Sequence, residues 1–170
     1  MPSPRVLALS LACAALAIAG CGGSDSEQQS SAPTATPTQT ETPAPAAPAK
    51  KPKVPKPKGK PPKKLVKKDL KVGKGAVAKA GSTVVVQYVG VSFKTGKEFD
   101  ASWDRGQPFS FAIGSGQVIP GWEKGIPGMR VGGRRELVIP PNLAYGAQGS
   151  PPVIGPNETL VFVVDLVAVQ

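Results

Sequence analysis

Residues 116–141 read GQVIPGWEKGIPGMRVGGRRELVIPP, and this stretch decides the fold. Pro120 stands where a first helical turn tolerates proline, because its missing N–H would have no intrahelical acceptor. Trp122 and Ile126 lie four apart on one helical face, and Pro127-Gly128 ends the segment. The spacing predicts one short helix between Ile119 and Met129. Beyond it, Arg135–Ile139 reads as a strand stopped by Pro140-Pro141, since proline cannot donate to a sheet ladder.

Outward from this stretch the pattern has period two. Thr83–Gly90 is rich in β-branched residues and puts Val84, Val86 and Tyr88 on one face. Lys94–Lys97 is a turn, after which Glu98–Asp100 resumes an extended segment. Pro108–Ile113 aligns Phe109, Phe111 and Ile113, and Thr159–Val169 aligns Leu160, Phe162, Val164 and Leu166. Five antiparallel strands and one short helix predict an α+β domain. On the last strand Val161, Val163 and Val167 leave the outward face apolar, which implies a partner contact or a covering segment.

The 170 residues suit one ordinary domain with appendages. There is no histidine, so a Ser-His-Asp triad, a Cys-His dyad and the commonest zinc sites are all excluded. Two cysteines build neither a four-cysteine metal site nor a disulfide framework. The composition points to no metal and no cofactor.

Arg5 precedes an apolar run, Val6–Ala19, of 14 residues, followed by Gly20-Cys21-Gly22-Gly23. A helix needs about 20 residues to span a bilayer, so the run reads as the hydrophobic region of a signal peptide, residues 1–20. Ile18-Ala19-Gly20-Cys21 is similar to the bacterial lipobox, in which the cysteine is lipidated; an ordinary secretory signal is the alternative. Lipidation at Cys21 implies an exported protein anchored on the extracytoplasmic face of the membrane.

Residues 21–64 form the expected tether. Residues 22–49 hold three acids, no bases and no apolar periodicity, the composition of disorder. Residues 50–64, KKPKVPKPKGKPPKK, hold eight lysines and five prolines. This run reads as a stiff, solvated spacer reaching about 45 Å. Residues 81–170 carry seven bases and seven acids, so the net charge of +10 resides upstream of them. Without aromatic residues to stack on bases, the run does not read as a nucleic-acid site. Anionic lipids or wall polymers fit it, as does a spacer with no partner. The folded domain is expected over 65–170, and a chain beginning near Leu65 is expected to fold.

From Val84 onward the blocks VQYVG (86–90), GKEFDAS (96–102), DRGQPFSFAIG (104–114), GQVIPGWEKGIPGM (116–129), VGGRRELVIPP (131–141), LAYGAQG (143–149) and PNETLVFVVDL (156–166) occur in one order. Their succession resembles the FK506-binding-protein (FKBP) type of peptidyl-prolyl cis-trans isomerase. The resemblance implies a half-barrel, an antiparallel five-stranded sheet wrapped around one short helix with an apolar pocket between them. It also implies isomerisation of X-Pro bonds, proline-containing peptides and unfolded exported proteins as partners, FK506-type macrolides as inhibitors, and a monomer.

The resemblance further implies the parts of the pocket. Trp122 would form the floor, with Tyr88, Phe99, Phe109, Val118, Ile119, Ile154 and Phe162 around it. The Ile119 N–H and the Tyr145 hydroxyl would bond ligand carbonyls, and Asp100, held by Tyr88 and Arg105, would face the twisting carbonyl. Asp100 and Tyr145 are thus the candidate catalytic residues. Outside that context Trp122, Phe109, Phe111 and Phe162 read as plain core, Tyr145 as a turn residue, and Asp100–Arg105 as a structural ion pair. Trp103 reads as surface packing. A non-catalytic peptide-binding or holdase module on the same scaffold is the alternative function.

Overall fold

The computed structural model describes residues 50–170. The expected signal peptide, Cys21 and tether residues 21–49 lie outside the described residues. The elements are β1 (Val66–Lys71), β2 (Thr83–Ser92), β3 (Glu98–Ala101), β4 (Phe109–Ala112), α1 (Pro120–Gly125), β5 (Arg134–Ile139) and β6 (Leu160–Val169). Short 3₁₀ turns cover Ser102–Arg105 and Pro141–Leu143. The sheet runs β1-β5-β6-β2-β3, and β4 pairs with the first half of β2. Every pairing is antiparallel. Register shifts at Val85/Val86 and Gly90/Val91 bend β2, as bulges do, and this lets the sheet wrap around α1.

The sheet therefore has six strands, not five. The additional strand, β1, is VKKDLK, and all six residues are exposed. With no buried face it leaves no apolar alternation in the sequence. It is held by its ladder to β5 and by Asp69, whose carboxylate accepts from Arg135 Nε at 2.6 Å. Helix α1 begins at Pro120 as expected but closes at Gly125, earlier than Pro127-Gly128. The helix lies hard against β5 because two of its residues lack side chains. A Cβ on Gly121 would stand 2.4 Å from Ile139 Cγ2, and one on Gly125 2.8 Å from Leu137 Cδ1.

The inward faces match the period-two reading. Val84, Val86 and Tyr88 of β2 join Phe111, Ile113, Leu160, Phe162, Val164 and Leu166 in one core over α1. A second cluster on the outer face gathers Val89, Val91, Phe93, Ala101 and Val161. Val54 and Trp103 pack against that outer cluster. Around Val161 the apolar outward face of β6 thus has a covering segment, supplied by Val54 of residues 50–64. This run has no regular secondary structure, and its lysines are exposed while Pro52, Val54, Pro57 and Pro62 are half-buried. Proline rings and one valine carry apolar surface without any periodicity, so the run reads as solvated spacer although it lies along the domain.

Candidate active site

A pocket of about 390 Å³ opens between α1 and the inner face of the sheet. Its volume falls in the usual range for small-ligand sites. Trp122 projects from α1 and is buried, with Tyr88 of β2 edge-on at 5.0 Å between ring centroids and Phe162 of β6 edge-on at 5.3 Å. Phe109 stands 6.1 Å from Trp122, and Phe99 packs edge-on against Phe162 at 5.5 Å. Edge-to-face rings place positive rims against negative faces, so four strands and one helix fix a single aromatic cage.

Of the ten expected site residues, nine line this pocket: Tyr88, Phe99, Asp100, Phe109, Val118, Ile119, Trp122, Tyr145 and Phe162. Ile154 does not. It is buried in the core cluster and bridged to Ser150, so it supports the wall from behind. Gln117 lines the pocket and was missed by sequence reasoning. Its position is set by Glu123, whose carboxylate accepts from the Gly114 N–H at 2.5 Å and the Gly116 N–H at 3.0 Å. The available signal was the Gly-Ser-Gly-Gln turn, whose Gly114 and Gly116 stand nine and seven residues ahead of an acid in the first helical turn.

At the rim three side chains interlock. The Tyr88 hydroxyl donates to Asp100 Oδ2 and accepts from Arg105 Nη2 at 2.7 Å, while Arg105 Nη1 donates to Asp100 Oδ1. Burial, reinforced by Asp100, pushes the Tyr88 phenol up from 10.0 to about 12. The Tyr145 phenol is also raised, by burial and then by the charge of Asp100. Both tyrosines therefore keep their protons at neutral pH. Among the described residues neither the Tyr145 hydroxyl nor the Ile119 N–H has a protein hydrogen-bond partner. The pocket thus offers an apolar floor, a rim carboxylate paired with Arg105 and two unengaged donors. Among the described residues no group of acids or cysteines is placed to hold a metal ion.

This arrangement accompanies a family match. The model of the FKBP-type peptidyl-prolyl cis-trans isomerases matches residues 74–167. The chain belongs to that family. The FK506-binding protein of Streptomyces anulatus is 61% identical over 112 residues, which cover 65% of this chain and 90% of that protein. The fold is similar to the crystal structure of AtFKBP13, with a TM-score of 0.58 and 39% identity over 62% of this chain and 93% of that one. It is also similar to FkpA from Escherichia coli, with a TM-score of 0.57 and 49% identity over 62% of this chain and 48% of that one. The FKBP-type match begins at residue 74, so β1 and the segment covering the outer face precede it.

Proposed function

We propose that this FKBP-type isomerase acts on X-Pro bonds of exported polypeptides, as a monomer tethered through lipidated Cys21 to the outer face of the membrane. The aromatic pocket with an interlocked rim is the observation that carries the catalytic part. The X-Pro bond must rotate across about 18–20 kcal/mol because resonance gives it double-bond character. In the twisted state that resonance is lost and the amide becomes less polarised. A dry floor at Trp122, beneath the aromatic walls, favours the twisted amide over either planar isomer, and preferential binding of that state is catalysis. The Ile119 N–H and the Tyr145 hydroxyl are the donors for the substrate carbonyls. Asp100, fixed by Tyr88 and Arg105, meets the carbonyl that turns. FK506-type macrolides would occupy the same pocket.

The apolar run Val6–Ala19 followed by Cys21 supports the anchored location, and the lysines of residues 50–64 suit an anionic headgroup surface. Residues 1–20 are the proposed signal peptide. Among the described residues no helix is long and apolar enough to cross a membrane.

The catalytic test is exchange of a proline peptide monitored by NMR, in which the protein should broaden the cis and trans signals at substoichiometric amounts. Binding without exchange would select the holdase reading. For the anchor, Cys21→Ser should block processing or release the protein from membranes, since a buried acyl chain contributes about 0.8 kcal/mol per CH₂. Unaltered processing and fractionation would remove the lipid assignment.

A further inference from the structure

The segment covering the outer face touches the site from behind at one place. Lys51 Nζ pairs with Glu98 at 2.8 Å and with Asp104 at 2.6 Å. Three residues on, Val54 packs against the outer cluster, which includes Ala101 and on which Trp103 also packs. Glu98 and Asp104, with the cluster residues Ala101 and Trp103, flank the rim residues in sequence. Glu98 precedes Phe99 and Asp100, Ala101 follows Asp100, and Trp103 and Asp104 precede Arg105. Upstream of the contact, the Lys50 carbonyl accepts from Arg134 Nη2 at 3.0 Å. Downstream, Lys56 lies so near the β2–β3 turn that a Cβ on Gly96 would stand 2.7 Å from Lys56 Cβ. On the opposite side the corner is laddered to β2, with Val89 opposite Ala101 and Gly90 opposite Asp100, and the buried Ser102 hydroxyl donates to Gln87 Oε1 and accepts from the Tyr88 N–H at 2.9 Å.

We propose that Lys51 and Val54 are positioning residues for the isomerase reaction, part of a strap that fixes the Asp100–Arg105 corner against the pocket. The proposal rests on the catalytic reading above. The corner is a four-residue strand followed by one 3₁₀ turn, and both carboxylate partners of Lys51 are exposed. Ala101 and Ser102 are buried, but the Asp100 and Arg105 side chains on either side of them stay solvent-exposed, so the place of the rim carboxylate depends on the contacts made around it. A side chain misplaced by about 1 Å can cost on the order of 100-fold in rate, so a weak strap has leverage on catalysis beyond its effect on stability. Exposed ion pairs add little to stability, so Lys51 can be changed without unfolding the domain.

The experiment uses the whole chain and compares Lys51→Ala, Lys51→Arg, Val54→Asp and Lys58→Ala. Lys58 is an exposed strap lysine that makes no hydrogen bond or ion pair among the described residues, and it serves as the charge control. Isomerisation of a proline peptide is measured below the melting transition of every variant, with kcat and KM separated. Emission of the half-buried Trp103 reports whether the strap is seated. Lys51→Ala and Val54→Asp should lower kcat about three- to tenfold with KM little changed, as expected for loss of an interaction made in the transition state. Lys51→Arg and Lys58→Ala should match the wild type. Wild-type kcat in Val54→Asp with Trp103 exposed would overturn the proposal, as would an equal loss in Lys58→Ala. If Val54→Asp does not fold, Lys51→Ala decides the matter by the same criterion. A wild-type chain without isomerase activity would overturn the catalytic reading, a result separate from any difference among the variants.

Discussion

Arg105 holds Tyr88 in two ways at once. Its Nη2 donates to the Tyr88 hydroxyl at 2.7 Å, and its Cζ lies 5.4 Å from the centroid of the same ring. With Nη1 on Asp100, one planar guanidinium spans both partners of the rim. A lysine ammonium is a point donor and cannot reproduce that fork. Arg105→Lys should therefore lower kcat/KM measurably while stability changes by less than about 1 kcal/mol, since the pair is solvent-exposed. A melting curve beside the peptide assay checks both halves.

Asp100→Leu and Tyr145→Phe nearly conserve volume while deleting a charge and a hydroxyl. Asp100→Leu should lower kcat/KM about tenfold, equivalent to about 1.4 kcal/mol of transition-state stabilisation. Tyr145→Phe should weaken binding of a pocket ligand by about 0.5–1.5 kcal/mol, the net worth of one neutral hydrogen bond. Wild-type rates in a folded Asp100→Leu variant would mean that apolar desolvation alone drives the rotation, leaving Asp100 as a structural partner of Arg105.

The chain has two tyrosines, so phenolate absorbance resolves the site directly. Both should titrate above 10, with Tyr88 near 12. The unfolded chain loses these protons near 10 and the folded one later, so it is the folded state that holds more protons in between. The stability contribution of Tyr88 is complete below pH 10 and lost as pH rises through about 12. Tyr88→Phe should flatten that part of the alkaline denaturation profile. A Tyr88 titration at 10 in the folded protein would contradict the buried, interlocked rim.

Gly90 lies behind two walls of the cage. A Cβ there would stand 2.7 Å from Phe99 Cζ and 2.8 Å from Phe162 Cε1, closer than side chains tolerate. Gly90→Ala should displace both rings and destabilise the domain by about 1–3 kcal/mol, the usual cost of overpacking. Ligand affinity should fall with it. Denaturant unfolding and a ligand titration measure the two effects.

The inward-facing residues were legible in the sequence because strand alternation and helical spacing are local properties of the chain. Val84, Val86 and Tyr88, or Leu160, Phe162, Val164 and Leu166, share a face wherever the chain is extended, so the core followed from period two. That part of this core lines a pocket, with Asp100 and Tyr145 at it, came from the resemblance to the family and not from periodicity. Strand β1 was not legible, since VKKDLK buries no face and exists as a strand only because β5 offers it a ladder. That Gln117 lines the pocket while Ile154 stays in the core was not legible for a similar reason. Which side of a loop meets a cavity depends on the Glu123 clamp and the Ser150–Ile154 bridge, not on residue type. The strap shows the same division most plainly. Composition alone makes residues 50–64 a basic spacer, because docking of an aperiodic Pro-Lys segment depends on the surface it meets. That surface, the outer cluster around Val161 with Glu98 and Asp104 at its edge, is assembled from β2, β3, β6 and the turn after β3, and exists only after the sheet has closed.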